Sequence, residues 1–222
     1  MRQDGSRQRW VPLTGILFSA FFVVGIILAD QPPTYRNDIE LIAFYRDAGN
    51  RLEVLIGGYF LTLAGVILLP FLGTLRRVIE AAEGQGELLA GLVSSSGAVL
   101  VGLVLAGAAA SVVVPAGVYF DDNRETPLAD PDLARYLTAL GYTLIFLMGM
   151  FVAAVVIATT ALASYRFSLF PSWFKWLSGA CVLALLLSAP FEILGLALPV
   201  WLTVASVLLI RRQASASQAV PQ

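Results

Sequence analysis

Three carboxylates in one short stretch, Asp121, Asp122 and Glu125, are the residues of this chain best spaced for chemistry. An acidic pair with a third carboxylate about one helical turn on can hold magnesium against a diphosphate, which would point to lipid-diphosphate or prenyl-transfer chemistry. Against that reading stand the neighbouring Asn123 and Pro127, which favour a turn, and the presence of one such cluster rather than two. A solvated loop is the stronger interpretation of the stretch.

The remaining inventory is sparse. No histidine occurs in the sequence, which removes His-ligated haem, the common zinc and iron ligand sets and the usual neutral-pH general base. Cys181 is the single cysteine and lies in an apolar run, where it reads as a small buried residue; an internal disulfide and a Cys-pair metal site need a second thiol. The expectation is a non-enzymatic protein with no cofactor. A net charge of −1 gives no reason to expect a nucleic-acid partner.

The elements that would carry these groups are apolar. Of the 222 residues, 58% are hydrophobic and 13% charged, against roughly a quarter charged in an ordinary soluble domain. Charge-free runs cover 10–29, 54–75, 88–120, 136–165, 176–191 and 193–210, and about 20 apolar residues cross a hydrocarbon core of about 30 Å. The pattern predicts an all-α, polytopic membrane helix bundle forming one domain over 1–212. Its six transmembrane helices are expected at about 10–29, 54–75, 88–114, 137–163, 176–190 and 193–210. The stretch 177–210 is too long for one crossing, and Ala189-Pro190-Phe191-Glu192 offers a helix-breaking proline and a carboxylate for a turn within it.

Charge sets the orientation. Placing Arg2, Arg7, Arg9, Arg76, Arg77, Arg166, Lys175, Arg211 and Arg212 on one side satisfies the positive-inside bias. The predicted location is therefore the cell membrane, multi-pass, with both termini cytoplasmic. Trp10, Tyr119, Phe120, Tyr136, Trp173, Phe174 and Trp176 fall near the ends of apolar runs, where amphipathic rings favour the headgroup layer.

Between the first two spans, Asn37 can cap a short extracellular surface helix with Asp38 and Glu40 in its first turn and Gly49 at its end. Asn50 with Glu53 resembles a capping box opening the second span. Asp130 before Pro131 opens the fourth, and Gly84-Gln85-Gly86 ends the extension of the second. Residues 213–222, rich in Ala, Ser and Gln, read as a disordered cytoplasmic tail.

Small residues set the remaining expectations. Ser94, Ala98, Gly102, Ala106 and Ala110 recur every four residues and predict a smooth helix-packing line, either inside the bundle or, alternatively, at a homo-oligomer interface or a narrow permeation path. The expected partners are the lipid bilayer and a membrane protein or a second copy of the chain. Hydroxyl clusters at Ser94-Ser95-Ser96, Tyr142-Thr143 and Thr159-Thr160, with Pro70 and Pro199 inside spans, keep a small permease or lipid-handling protein as the alternative.

Several short motifs carry a resemblance. They are Ile42-Ala43-Phe44-Tyr45-Arg46-Asp47 leading to Asn50-Arg51, then Gly58-Tyr59 and Phe71-Leu72-Gly73-Thr74-Leu75-Arg76. Leu140-Gly141-Tyr142, Phe170-Pro171-Ser172-Trp173 and Leu198-Pro199-Val200-Trp201 follow. Together they make the chain similar to a loose group of small actinobacterial multi-pass integral membrane proteins with a domain of unknown function. The resemblance spans most of the chain and implies a topology and a location, with no activity to carry over.

Overall fold

A computed structural model describes residues 11–29, 32, 37–84, 88–120, 130–188 and 191–218, and among these there is no strand. Its helices are α1 (Leu13–Ala29), α2 (Asp38–Arg46), α3 (Ala48–Glu83), α4 (Leu88–Phe120) and α5 (Pro131–Tyr142). A π-helical segment (Thr143–Gly149) then leads into α6 (Met150–Phe167), followed by α7 (Ser172–Leu186), a 3-10 turn (Glu192–Leu196) and α8 (Ala197–Gln218).

Four stretches are long and apolar enough to cross a membrane: Ala48–Glu83, Leu88–Phe120, Pro131–Phe167 and Ile193–Gln213. Two more apolar helices are shorter, α1 with 17 residues and α7 with 15, or about 26 and 22 Å at 1.5 Å per residue. The stretch 177–210 is divided as its composition requires, because α7 stops at Leu186 and the chain re-forms helix only from Glu192.

Local chemistry fixes the helix starts. The Asn37 carboxamide oxygen accepts from the Glu40 N–H at 2.9 Å, and the Asp130 carboxylate accepts from the N–H groups of Asp132 and Leu133, with Pro131 in the first turn. The second span opens differently from the expected Asn50–Glu53 box. Asp47 is the cap, accepting from the Asn50 N–H at 2.9 Å, so α2 ends at Arg46 and Gly49 lies inside α3. An aspartate three residues ahead of Asn50 satisfies the same orphan donor one turn earlier. Gly84, at a φ of 68°, ends α3.

The bundle closes through close backbone approaches. A Cβ at Gly57 would lie 2.6 Å from the Ala29 nitrogen and 2.9 Å from the Gly25 oxygen, so α1 and α3 touch main chain to main chain. Gly107 and Gly141 do the same for α4 and α5, each Cβ landing about 3 Å from the other residue's oxygen. Between α3 and α4, Gly58 meets Val112, Gly65 meets Leu105 and Leu72 meets Gly97. Position numbers rise on one helix as they fall on the other, so the helices are antiparallel. The pairing of α1 with α8 has the same sense: the Ser19 hydroxyl donates to the Pro199 carbonyl at 2.8 Å, and Gly15 lies against Ser206.

One large core runs through these helices, holding Phe18, Phe22, Phe71, Phe174 and Trp201, all almost fully buried. The Trp201 indole N–H donates to the Ser178 hydroxyl at 2.9 Å, tying α8 to α7. A small separate cluster of Leu41, Tyr45 and Ala134 seats α2 on the ends of α4 and α5. The stretch expected as a disordered tail begins as helix, since α8 continues to Gln218.

Candidate functional site

The recess with mixed chemistry is lined by α1, α3, α4 and α5 towards the end of the bundle that carries α2. It has a volume of about 610 Å³. Ile26 and Ala29 of α1, Leu61 of α3, Ile145 and Phe146 supply apolar wall; Ser111, Arg135, Tyr136, Thr138, Tyr142 and Thr143 supply polar atoms. Most of one side comes from a single face, because Arg135, Thr138, Ala139, Tyr142 and Phe146 follow the spacing of one helical stripe.

The π-helical segment shapes that side. Tyr142 and Phe146 stack with ring centroids 4.8 Å apart, and the seven π-helical residues put Thr143, Ile145 and Phe146 on the same recess. Such widened turns often occur at functional sites because they re-aim side chains that a regular helix would point elsewhere.

At the polar end one guanidinium meets two carboxylates. Arg135 bridges two helices, donating to Asp38 of α2 at 2.6 Å and to Asp132 of α5 at 2.8 Å. Its positive charge faces two carboxylates, so the recess offers no net attraction for an anion. Ser111, Thr138 and Thr143 each donate to a carbonyl four residues back, at Gly107, Ala134 and Ala139. Their oxygens keep lone pairs for a ligand's donors while their protons are committed to the helix. Beneath α2, burial raises the Tyr45 phenol above its ordinary value.

Asp121, Asp122 and Glu125 lie outside the described residues. Among the described residues no group of three His, Cys, Asp or Glu side chains is placed to hold a metal ion. Cys181 is buried in α7.

The line expected to pack inside the bundle takes a different position. Ala98, Gly102 and Ala106 are exposed, Ser94 is half-buried and Ala110 is buried. A Cβ at Gly102 would meet nothing within 4 Å. The inward face of α4 is instead Val93, Gly97, Leu100, Val104, Gly107 and Ala108. Because α4 is apolar and small-residue-rich on every side, four-residue spacing identifies a smooth line without identifying which line turns inward.

The hydroxyl clusters are absorbed by their own helices. Ser95 donates to Gly91, Ser96 to Leu92, Thr159 to Val155 and Thr160 to Val156. Sequence reasoning noted Tyr142-Thr143 but missed the recess. The signal was present in the amphipathic spacing of 135, 138, 139, 142 and 146, which an interfacial position for Tyr136 had masked. No family model matches the chain, and neither does any curated protein or solved structure.

Proposed function

We propose that this chain is a polytopic protein of the cell membrane, crossing the bilayer six times with both termini cytoplasmic, and that it binds a membrane amphiphile. The recess of about 610 Å³ carries the binding reading; ligand sites of roughly 300–1,000 Å³ are the common range. Its apolar walls suit an acyl or prenyl chain, and hydroxyl oxygens beside a carboxylate-paired arginine suit a small uncharged headgroup rather than a phosphate. Six apolar helices, with more basic residues at one end (Arg76, Arg77, Arg166, Lys175, Arg211 and Arg212) than at the other (Arg46, Arg51 and Arg135), support the topology. A resemblance to small actinobacterial multi-pass membrane proteins would imply the same arrangement.

Ala139→Phe places a ring in the recess from a lining position. A fluorescent diacylglycerol titrated into the purified protein in neutral micelles is expected to bind the native chain and to bind this variant at least about tenfold more weakly. Equal binding by both, with the variant folded, removes the reading.

The exposed line of Ala98, Gly102 and Ala106 favours a second reading, in which the protein acts by packing against a membrane partner or a second copy. In a Cys181→Ser background, Gly102→Cys should then give a disulfide-linked dimer or a defined heteromer in native membranes. A chain that stays monomeric argues for lipid on that face.

A further inference from the structure

At the opposite end of the bundle, α1, α3 and α8 leave a groove of about 460 Å³. Two guanidinium side chains, Arg77 of α3 and Arg212 of α8, line it together with Val11, Pro70, Val78 and Ala81, and among the described residues no carboxylate does. We propose that this groove binds the phosphodiester headgroup of an anionic glycerophospholipid, with the two arginines on the phosphate and the apolar walls on the upper acyl chains.

The position fits that ligand. Leu75 and Ile210 are the last residues of their charge-free runs, so Arg77 and Arg212 stand just beyond the apolar border, where a lipid phosphate lies. The two cations reach one groove from different helices, which gives a tetrahedral anion two separate guanidinium forks.

Neighbouring charges sharpen the assignment. Arg76 is paired with Glu80 at 3.7 Å, and Lys175 sits over the Tyr165 ring at 5.3 Å. Arg77 has no carboxylate partner among the described residues. Arg212 is held in place by donating one N–H to the Leu169 carbonyl at 3.3 Å. Space for the headgroup exists beside Gly73, where a Cβ would meet nothing within 4 Å.

The inference rests on the bilayer reading but is independent of the recess at the other end. Native mass spectrometry of the full chain, released from micelles holding equal phosphatidylcholine and phosphatidylglycerol, tests it. The native protein is expected to retain phosphatidylglycerol at least about tenfold over phosphatidylcholine. Arg77→Gln with Arg212→Gln should bring that ratio near parity and Arg77→Gln alone should lower it, whereas Arg76→Gln, the same single loss of charge outside the groove, should leave it unchanged. Gly73→Leu fills the space and keeps both arginines, and it should abolish the preference too, which settles the matter should the double variant not fold.

Parity in the native protein, or an undiminished preference in Gly73→Leu, overturns the proposal. Displacement of the lipid by millimolar inorganic phosphate would assign the groove to a free anion and overturn it as well. A chain released from membranes by alkaline carbonate would instead sink the bilayer reading, so the two failures are distinguishable.

Discussion

At the scale of single residues, the helices are held where side chains are missing. Gly57 and Gly25 put two backbones in contact, and any Cβ at Gly57 collides with the main chain of α1, which has no rotamer to yield. Gly57→Leu is expected to destabilise the protein by about 1–3 kcal/mol, the usual range for overpacking. The readout is a lowered Tm in detergent, with Gly73→Leu near the native value because its site is open. An unchanged Tm for Gly57→Leu would contradict the crossing. These positions were hard to read from sequence, since with 19 glycines in the chain the composition marks many possible contacts and phase selects among them. Trp201 was equally hidden. Trp173 and Trp176, beside the start of an apolar run, are exposed as interfacial anchors would be, whereas Trp201, midway along the run 193–210, is fully buried with its N–H donating to Ser178.

At the scale of elements, starts were more legible than contacts. A side-chain oxygen just ahead of a run is a local signal, and Asn37 and Asp130 cap α2 and α5 where their spacing places them. A cap supplied from the preceding helix leaves a weaker trace. The Glu83 carboxylate, at the end of α3, accepts from the Leu89 N–H at 3.1 Å and from the Ala90 N–H at 3.2 Å, satisfying the start of α4 across a turn. Negative charge at a helix N-terminus is favourable as well as a hydrogen-bond acceptor. Glu83→Ala should therefore cost about 1 kcal/mol in thermal melts, with Glu83→Gln between the two because the amide keeps an acceptor and loses the charge. Equal melting of all three would mean that water caps α4 as well as the carboxylate does. The π-helical segment left no readable trace: Thr143–Gly149 has an ordinary apolar sequence, and its widened geometry depends on packing around Gly141 and Gly149.

At the scale of the whole molecule, the spacing of charges carried nearly all the information about class. Every apolar helix contains much of a charge-free run and carries its charges near its ends, because a buried or lipid-facing charge is costly. The surface confirms how apolar the sides of the bundle are, with Phe151, Val155, Leu162, Leu183 and Val200 all exposed. The proposed six crossings, with both ends cytoplasmic, make a direct prediction. Glu192→Cys in a Cys181→Ser background should react with an impermeant maleimide on intact cells, while a cysteine replacing Arg211 should react only after permeabilisation; the reverse pattern would invert the topology. Of the recess only the polar stripe on α5 was legible, in the spacing of 135, 138, 139 and 142; that α1 and α3 face it across an open space is a tertiary arrangement that no run of residue types encodes.

The Gly25–Gly57 contact also determines which side of the bundle can swing. Two helices touching through their main chains behave like a door jamb, with no side chain between them to re-pack. Across the opening, the strand of helix carrying Tyr142 and Phe146 is hinged on a stretch with non-standard turns. Because Gly107 and Gly141 lock the start of that leaf to α4 in the same way, admission of a guest is expected to move only the stretch beyond Gly141, so hydrogen–deuterium exchange should quicken around 143–149 during entry while 15–29, 54–65 and 107–111 stay protected.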